Sequence, residues 1–372
     1  MDSERQDLII SGRRIGVGHA TYIVAEMSAN HNQSFGQAVA ILKAAKEAGA
    51  DAVKLQTYTA ATMTLDSNRE WFRVSGGTLW DGRSLYDLYQ EAYTPWEWQP
   101  KLKEIADDLK LDLFSTPFDD TAVDFLEDMN VPAHKIASFE AVDLPLIRRV
   151  ARTGKPVILS TGMADLGEID EAVRTFKQSG GRELALLKCT SAYPAPADEM
   201  NLRTIPHMAQ AFNVPVGLSD HTLGIVASVT GVALGACIIE KHFTLSRADG
   251  GPDSAFSLEP AEFKSMVDSI RVAERALGHV HYGLGAAETK SRAFRRSLFV
   301  VEDVRAGERF TAKNLRSIRP SHGLHTRHLP DILGRVATRD LECGTPLTWE
   351  MIGAEQTTPT KMSSGGLHGS AG

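Results

Sequence analysis

The sequence predicts an α/β protein, a (β/α)8 TIM barrel followed by a small β-rich domain. Before Gly278, eight short apolar runs alternate with stretches whose apolar residues recur at helical spacing. Nearly every apolar run ends in polar or charged residues of the kinds that bind a phosphate or a metal. Strands and helices that alternate eight times can close a parallel barrel, and such barrels place their active site at the carboxyl ends of the strands.

The predicted strands are short and largely apolar, as expected for buried strands of a parallel sheet. They cover residues 22–27, 52–56, 112–115, 134–136, 156–160, 184–188, 215–218 and 238–242. The segments between them have an apolar period of about 3.6 residues, which is typical of helices that pack on one face. These predicted helices cover residues 38–48, 102–109, 122–129, 144–151, 169–176, 205–212, 225–234 and 263–277.

An open doubly wound sheet is the alternative fold for alternating strands and helices. Such a sheet more often carries a glycine-rich dinucleotide-binding turn after its first strand. Here residues 28–33 read SANHNQ and contain no glycine. The barrel is therefore the favoured prediction.

Composition limits the class of protein. The 372 residues are 42% hydrophobic and 23% charged, enough for a large core and a second domain. The formal net charge of −7 argues against nucleic acid as the main partner, because binding a phosphate backbone requires a basic surface. Residues 1–6 are charged rather than apolar, and no apolar run approaches the ~20 residues of a membrane helix. We therefore expect a soluble cytoplasmic protein with no membrane partner.

The three cysteines, Cys189, Cys237 and Cys343, lack the spacing of zinc ligands. Cys189 and Cys237 fall in or beside predicted strands. We interpret the cysteines as reduced structural thiols, as is usual in the cytosol, with a catalytic role as the alternative.

The alternating pattern ends between Gly278 and Arg295. We predict a barrel domain over residues 1–282, a linker over 283–294 and a β-rich domain over 295–355. Within the last domain, residues 297–301, 315–318 and 341–348 are predicted strands, and residues 304–307 a turn. The Thr-, Ser- and Gly-rich tail, 356–372, is predicted to be disordered.

Two histidines come from the carboxyl ends of neighbouring predicted strands. His221 follows the seventh strand and His242 ends the eighth, where side-chain alternation puts Glu240 on the same face as His242. If that face lines the barrel, the imidazoles converge and form an open divalent-metal site completed by water and substrate oxygens. Separate hydrogen bonding of each histidine within the rim is the alternative.

A second cluster has the composition of a pocket for a small phosphorylated acid. Its residues are Lys54, Gln56, Thr116, Lys135, Ser138, Ser160 and Thr161. A buried lysine is costly unless it pairs with an anion, and a phosphate and a carboxylate together would satisfy two lysines. Two alternatives stay open: pairing of each lysine with a rim carboxylate such as Glu26 or Asp220, and a Schiff-base lysine with a depressed pKa.

Motifs in the same order over residues 22–352 resemble those of the sialic acid synthase family. They read IVAE at 23–26, NHN at 30–32, VKLQT at 53–57, STPF at 115–118, KIAS at 135–138, STGM at 160–163, SDHT at 219–222 and EKHFT at 240–244. The terminal domain, with Arg319-Pro320 before Gly323-Leu324, resembles the antifreeze-like (SAF) domain that those enzymes carry. Within the family, SLYDLY at 84–89, EAYTPW at 91–96, SFE at 138–140 and residues 243–260 are most similar to pseudaminic acid synthases.

The resemblance implies condensation of phosphoenolpyruvate with an acetamido hexose, 2,4-diacetamido-2,4,6-trideoxy-L-altrose, to form pseudaminic acid and release phosphate. It implies a divalent metal ion, Mn²⁺ before Mg²⁺ or Co²⁺, held by His221 and His242. The residues it assigns to substrate binding are Lys54, Gln56, Thr116, Lys135, Ser138, Ser160, Ser191, Tyr193 and Ser219, and those it assigns to catalysis are Glu26, Glu240 and Asp253. Arg319 would reach an acetamido carbonyl across a domain-exchanged homodimer.

Alternative functions from other classes remain. N-acetylneuraminate or legionaminate synthesis uses the same chemistry on a different sugar. A pyruvate aldolase with a lysine imine would be trapped by borohydride in the presence of pyruvate. A catalytically silent sugar-binding protein is the third alternative, and it would have no need of both histidines and both lysines.

Overall fold

A computed structural model describes residues 7–354. Its strands are β1 (Leu8–Ile10), β2 (Arg13–Ile15), β3 (Tyr22–Glu26), β4 (Ala52–Thr57), β5 (Asp112–Pro117), β6 (His134–Ile136), β7 (Val157–Ser160), β8 (Leu184–Cys189), β9 (Val216–Asp220), β10 (Ile238–His242), β11 (Ser297–Val300) and β12 (Leu315–Ile318). Its helices are α1 (Phe35–Glu47), α2 (Ala60–Met63), α3 (Leu85–Ala92), α4 (Gln99–Asp108), α5 (Asp120–Asp128), α6 (Leu144–Ala151), α7 (Leu166–Gln178), α8 (Thr204–Phe212), α9 (Val226–Ala233), α10 (Pro260–Leu277) and α11 (Leu329–Ile332).

Strands β3 to β10 close into a parallel barrel in which β10 pairs with both β9 and β3. All eight predicted strands and all eight predicted helices are present within a few residues of their expected bounds. The predicted fold class is therefore confirmed. Side chains on alternate positions fill the barrel interior, and the other positions pack against the surrounding helices.

Side-chain caps mark the starts of several barrel helices. Ser34 accepts a hydrogen bond from Gln37 N at the start of α1, and Asp119 caps α5 in the same way. Asp165 and Glu168 form a reciprocal capping box on α7. These contacts satisfy backbone N–H groups that a helix start leaves without partners.

A hairpin of β1 and β2, which the sequence analysis did not predict, covers the amino end of the barrel. Its turn residues Ser11 and Gly12 have positive φ angles of 48° and 78°, as a tight two-residue hairpin requires. The hairpin contributes Leu8, Ile10 and Ile15 to the core inside the barrel. It was missed because three-residue strands are too short to show a period.

The chain divides after Gly278 into two compact units. In the second unit β11 and β12 pair in antiparallel order over a small apolar core, as predicted for residues 297–301 and 315–318. The strand predicted over 341–348 is wrong, since only isolated bridges form at Leu341 and Pro346. Pro346 has no N–H to donate, and Gly344 has a φ of 90°.

The predicted linker, 283–294, ends in a 3-10 helix, Lys290–Phe294. The tail predicted to be disordered, 356–372, lies outside the described residues. Over residues 7–354, no helix is long and apolar enough to cross a membrane.

Candidate active site

The carboxyl ends of β3, β4 and β10 place one lysine between two carboxyl groups. Strand pairing sets Glu26 beside both Lys54 and His242. Lys54 Nζ lies 2.8 Å from Glu26 Oε2 and 3.7 Å from Glu240 Oε1, and all three side chains are buried. For Lys54, the alternative of pairing with a rim carboxylate is therefore confirmed.

Asp220, the other carboxylate considered as a lysine partner, lies on the outer face of β9. It pairs at 3.0 Å with Lys241, and both side chains are fully buried. The site lysines Lys54 and Lys135 therefore do not depend on Asp220. Thr116 lies inside the site, where its hydroxyl accepts a hydrogen bond from Lys54 Nζ at 3.3 Å.

Glu26 and Glu240 have opposite pKa shifts. Burial, reinforced by the charge of Glu240, raises the pKa of Glu26 to about 7 against the opposing effect of Lys54. Burial also acts on Glu240, but the charges of Lys135, Lys54 and His221 outweigh it and lower the pKa of Glu240. Near neutral pH Glu240 is ionised while Glu26 can hold a proton. Two carboxyls with divergent pKa values are typical of an acid and a base at one site.

Lys135 lies among hydroxyl groups at the ends of β6 and β7. Its Nζ donates to Ser160 Oγ at 2.6 Å and to Ile136 O at 3.0 Å. Burial lowers the pKa of Lys135, and within residues 7–354 this lysine forms no ion pair. A buried ammonium without a carboxylate partner is stabilised by a bound anion.

Gly162 lets two serines approach each other beside this lysine. Ser138 Oγ accepts a hydrogen bond from Gly162 N at 3.1 Å. A β-carbon on Gly162 would overlap Ser191 Oγ and lie 2.8 Å from Ser138 Oγ. The backbone amide and the two hydroxyls thus form a small polar cradle, which brings the predicted residues Ser138 and Ser191 together.

We expect Gly162→Ala to raise the KM for a phosphorylated substrate about tenfold, because the added methyl group displaces the cradle hydroxyls. Steady-state kinetics in which the concentration of the phosphorylated substrate is varied would measure this change in KM. Gly167→Ala, which meets only Asp165 Oδ1 at 3.2 Å, is the matched control. An unchanged KM in Gly162→Ala would show that the cradle does not bind the phosphate.

His221 and His242 meet as predicted, with ring centroids 5.4 Å apart. His221 Nδ1 lies 3.0 Å from Thr190 O, which leaves Nε2 with a lone pair when that contact is a donated hydrogen bond. Burial and the neighbouring charge of His221 hold the pKa of His242 well below its usual range. His242 Nδ1 is buried and has no hydrogen-bond partner in the described part of the chain. A neutral imidazole with an unpaired ring nitrogen has the chemistry of a metal ligand.

Among residues 7–354, no group of three or more His, Cys, Asp and Glu side chains is placed to hold a metal ion. Two imidazoles alone would leave the remaining ligand positions of a divalent ion to water or substrate, and this metal site stays a prediction. Cys189 contacts His221 Nδ1 at 3.8 Å. Burial opposes ionisation of Cys189, but the contact with His221 lowers the pKa of its thiol to about 7. Cys189 is thus a free thiol inside the site rather than a remote core residue.

A hydrogen-bonded chain connects Glu26 to Asp253. Gln56 Nε2 donates at 2.9 Å to both Glu26 Oε1 and Ser28 Oγ, and Ser28 in turn donates to Asp253. Ser219 Oγ donates to Glu240 Oε1 at 3.1 Å. The predicted residues Gln56, Ser219 and Asp253 therefore lie together, and Ser28 is a connection that sequence reasoning missed.

Tyr193 packs over the histidine pair. Its ring centroid is 4.3 Å from that of His221 and 6.2 Å from that of His242. Phe256 lies 4.9 Å from His242 on the same side. The imidazoles therefore have an aromatic boundary, and substrate binding by Tyr193 stays a prediction. Arg319 follows β12 in the second unit and is exposed, and its contact with a sugar stays a prediction.

Glu140 was not assigned a role from the sequence, although it follows β6 in the SFE motif. It lies on a short 3-10 helix, Ser138–Glu140, and its Oε2 is buried without a hydrogen-bond partner in the described residues. Burial raises the pKa of Glu140 to about 7 despite the opposing charge of Lys135. A carboxylate close behind a barrel strand was the signal that could have identified it.

We expect Glu140→Gln to stabilise the fold near pH 8 but not near pH 4, because the folded-state pKa of Glu140 is raised from 4.5 to about 7. A carboxyl that holds its proton more tightly when folded loses its stabilising contribution as pH rises through this window. Thermal unfolding at both pH values would measure the difference. Equal effects of the substitution on thermal stability at the two pH values would contradict burial as the cause of the raised pKa.

The comparisons with known proteins agree with this geometry. Residues 41–282 match the NeuB family and residues 295–353 the SAF domain. A pseudaminic acid synthase from Campylobacter jejuni is 46% identical over 326 residues, covering 88% of this chain and 95% of that protein. One from Helicobacter pylori is 46% identical over 331 residues, covering 89% and 97%. A solved N-acetylneuraminic acid synthetase from Leptospira borgpetersenii, 30% identical, has a TM-score of 0.69 and covers 78% and 96%. The chain belongs to the NeuB family.

Proposed function

We propose that this protein condenses phosphoenolpyruvate with 2,4-diacetamido-2,4,6-trideoxy-L-altrose, forming pseudaminic acid and releasing phosphate, with a divalent metal ion at His221 and His242. The observation that supports it most is the meeting of two lysines, two carboxyls of divergent pKa and two imidazoles at one barrel end. The two relatives at 46% identity, both pseudaminic acid synthases, support the choice of sugar. N-acetylneuraminate or legionaminate synthesis is the alternative at the same site.

The two lysines divide the anionic groups of phosphoenolpyruvate between them. Lys135, with Ser160 and the cradle at Gly162, takes the phosphate, because this lysine has no carboxylate partner in the described chain. Lys54 and Thr116 take the carboxylate. Holding both ends of the substrate turns a chance encounter with the sugar into a positioned one.

The carbon–carbon bond forms when the double-bond electrons of phosphoenolpyruvate attack the sugar aldehyde carbon from carbon three. A bound divalent ion would supply positive charge that polarises the aldehyde oxygen. Carbon two is left electron-deficient, and Glu240, the more readily ionised of the two carboxyls, stabilises that positive charge. Glu26, with a pKa of about 7, can give a proton to the new hydroxyl.

Water then adds to carbon two and loses a proton to a carboxylate of the site. Phosphate leaves as the carbon–oxygen double bond of the product forms, and the proton of the carbon-two hydroxyl leaves with the phosphate, so atoms and charge balance. Asp253, connected to Glu26 through Ser28 and Gln56, is the proposed contact to the sugar hydroxyls, and this chain of hydrogen bonds offers a route for proton exchange. The domain-exchanged homodimer and the contact from Arg319 remain part of the proposal.

A lysine imine is the competing mechanism. Although burial alone would lower the pKa of Lys54, the charges of Glu240 and Glu26 raise it and keep this lysine protonated. Lys135, whose pKa burial lowers, is the lysine that suits an imine. In the presence of pyruvate, borohydride would trap a covalent adduct on Lys135 if the lysine forms an imine. It would trap nothing if the proposed condensation operates.

The deciding experiment measures phosphate release from phosphoenolpyruvate with Mn²⁺. The arms are the 6-deoxy diacetamido sugar named above, its legionaminic counterpart and N-acetylmannosamine, each with and without chelator. Release that occurs with the first sugar only and stops with chelator supports the proposal in full. Release with another sugar overturns the choice of sugar. No release with any of them, together with a borohydride-trapped pyruvate adduct, would identify an aldolase instead.

A further inference from the structure

Trp80 lies on the segment between α2 and α3, after strand β4. Two apolar neighbours on that segment, Trp71 and Leu79, are 76% and 55% exposed, whereas Trp80 is partly buried. Its indole N–H donates to Pro252 O at 3.1 Å. Its ring centroid lies 5.8 Å from that of Tyr193. Trp80 therefore joins three rim segments, those that follow β4, β8 and β10.

Trp80, Tyr193 and Phe256 form an aromatic wall beside the histidine pair. The Tyr193 centroid is 5.2 Å from that of Phe256 and 4.3 Å from that of His221. Because the single N–H of Trp80 already bonds Pro252 O, its indole has no donor left for a ligand. The part of the wall made by Trp80 can contact a ligand only through apolar surface.

We propose that Trp80 sets specificity at carbon six of the acceptor sugar, by packing against a methyl group and disfavouring a hydroxymethyl group there. This inference rests on the proposed function, in which the aldehyde reacts beside the imidazoles. The Tyr193 ring links the indole to His221, because its centroid lies 4.3 Å from that of His221 and 5.8 Å from that of Trp80. An open six-carbon chain that starts at the imidazoles and runs along Tyr193 reaches Trp80 with its far end.

The preference follows from desolvation. A methyl group loses only unfavourable contact with water when it packs on the indole. A hydroxyl in the same place gives up hydrogen bonds to water and finds no replacement on Trp80, because the indole N–H is engaged. An apolar pocket discriminates against one added hydroxyl by about a hundredfold at most.

The test compares Trp80→Ala with Trp80→Phe, using the 6-deoxy sugar and the same sugar with a hydroxyl on carbon six. In Trp80→Ala we expect kcat/KM to fall by about tenfold to a hundredfold for the 6-deoxy sugar and by less than about threefold for the hydroxylated one. The KM for phosphoenolpyruvate stays unchanged in this variant. Trp80→Phe recovers part of the preference for the 6-deoxy sugar over the hydroxylated sugar. Trp71→Ala, on the same segment, is the matched control. Equal losses for both sugars, or a raised KM for phosphoenolpyruvate, would reduce Trp80 to a structural role.

A binding measurement separates this inference from the proposed function. The open-chain alditols of the two sugars cannot react, and calorimetry with phosphoenolpyruvate present gives their affinities. Tighter binding of the 6-deoxy alditol that Trp80→Ala abolishes supports the inference, even if the unaltered protein releases no phosphate. Equal affinities for the two alditols, or no binding of either, overturn it whatever the outcome of the phosphate assay.

Discussion

Replacing Glu240 with glutamine is expected to lower kcat by about a hundredfold to ten-thousandfold while the barrel stays folded. Glutamine keeps the shape of the side chain and an oxygen for the hydrogen bond from Ser219, 3.1 Å in the parent. It removes the negative charge that faces Lys54 at 3.7 Å and, in the proposed reaction, the electron-deficient carbon two. Turnover and circular dichroism would be measured together. Glu104→Gln, an exposed site on α4, is the control.

The same variant has a signature in the pH profile. The charge of Glu240 raises the pKa of Glu26, which stands at about 7, so removing that charge lets Glu26 lose its proton at lower pH. The limb of the pH–rate profile that follows protonation of Glu26 should therefore move to lower pH in the residual activity. A limb that stays in place would show that the two carboxyls do not act as a coupled pair.

Replacing His242 with alanine is expected to weaken Mn²⁺ binding by at least about a hundredfold, because losing a ligand costs more than losing a residue that supports one. The structural ground is His242 Nδ1, which is buried beside His221 and has no hydrogen-bond partner within residues 7–354. Electron paramagnetic resonance of free Mn²⁺ measures the affinity without any turnover. His221→Ala should weaken Mn²⁺ binding by a similar factor.

Two control variants test whether the loss of Mn²⁺ binding is specific to the two histidines. His207→Ala removes an exposed histidine on α8 and should leave Mn²⁺ affinity unchanged. Gly162→Ala alters the anion cradle and should also leave it unchanged. Mn²⁺ binding that survives in both His221→Ala and His242→Ala would overturn the metal site.

Strand alternation was sufficient to predict which side chains share the barrel mouth. Glu240 and His242 were expected on one face of their strand, and Lys54 and Gln56 were expected in one pocket cluster. The structure brings Lys54 to both glutamates and Gln56 to Glu26. This success has a simple cause, since side chains two residues apart on any strand point the same way.

The residues that were missed lie on connections. Ser28, Glu140 and Gly162 follow strand ends, and Trp80 lies on a long segment after α2. No period governs such segments, so their contacts depend on which other connections lie across the barrel mouth. The partners of the lysines were also undecided, because pairing with Glu26 and pairing with a substrate anion predict the same residue types.

The residue pattern alone specified the eightfold repeat, the β-rich second unit and the rim that holds the chemistry, because periods of about 3.6 and two residues are local properties of the chain. Barrel closure decided the rest. It brought Glu26 of β3 and Glu240 of β10 to the same lysine, although they are far apart in sequence. Their divergent pKa values then arise from burial and neighbouring charges, which exist only when distant segments pack together.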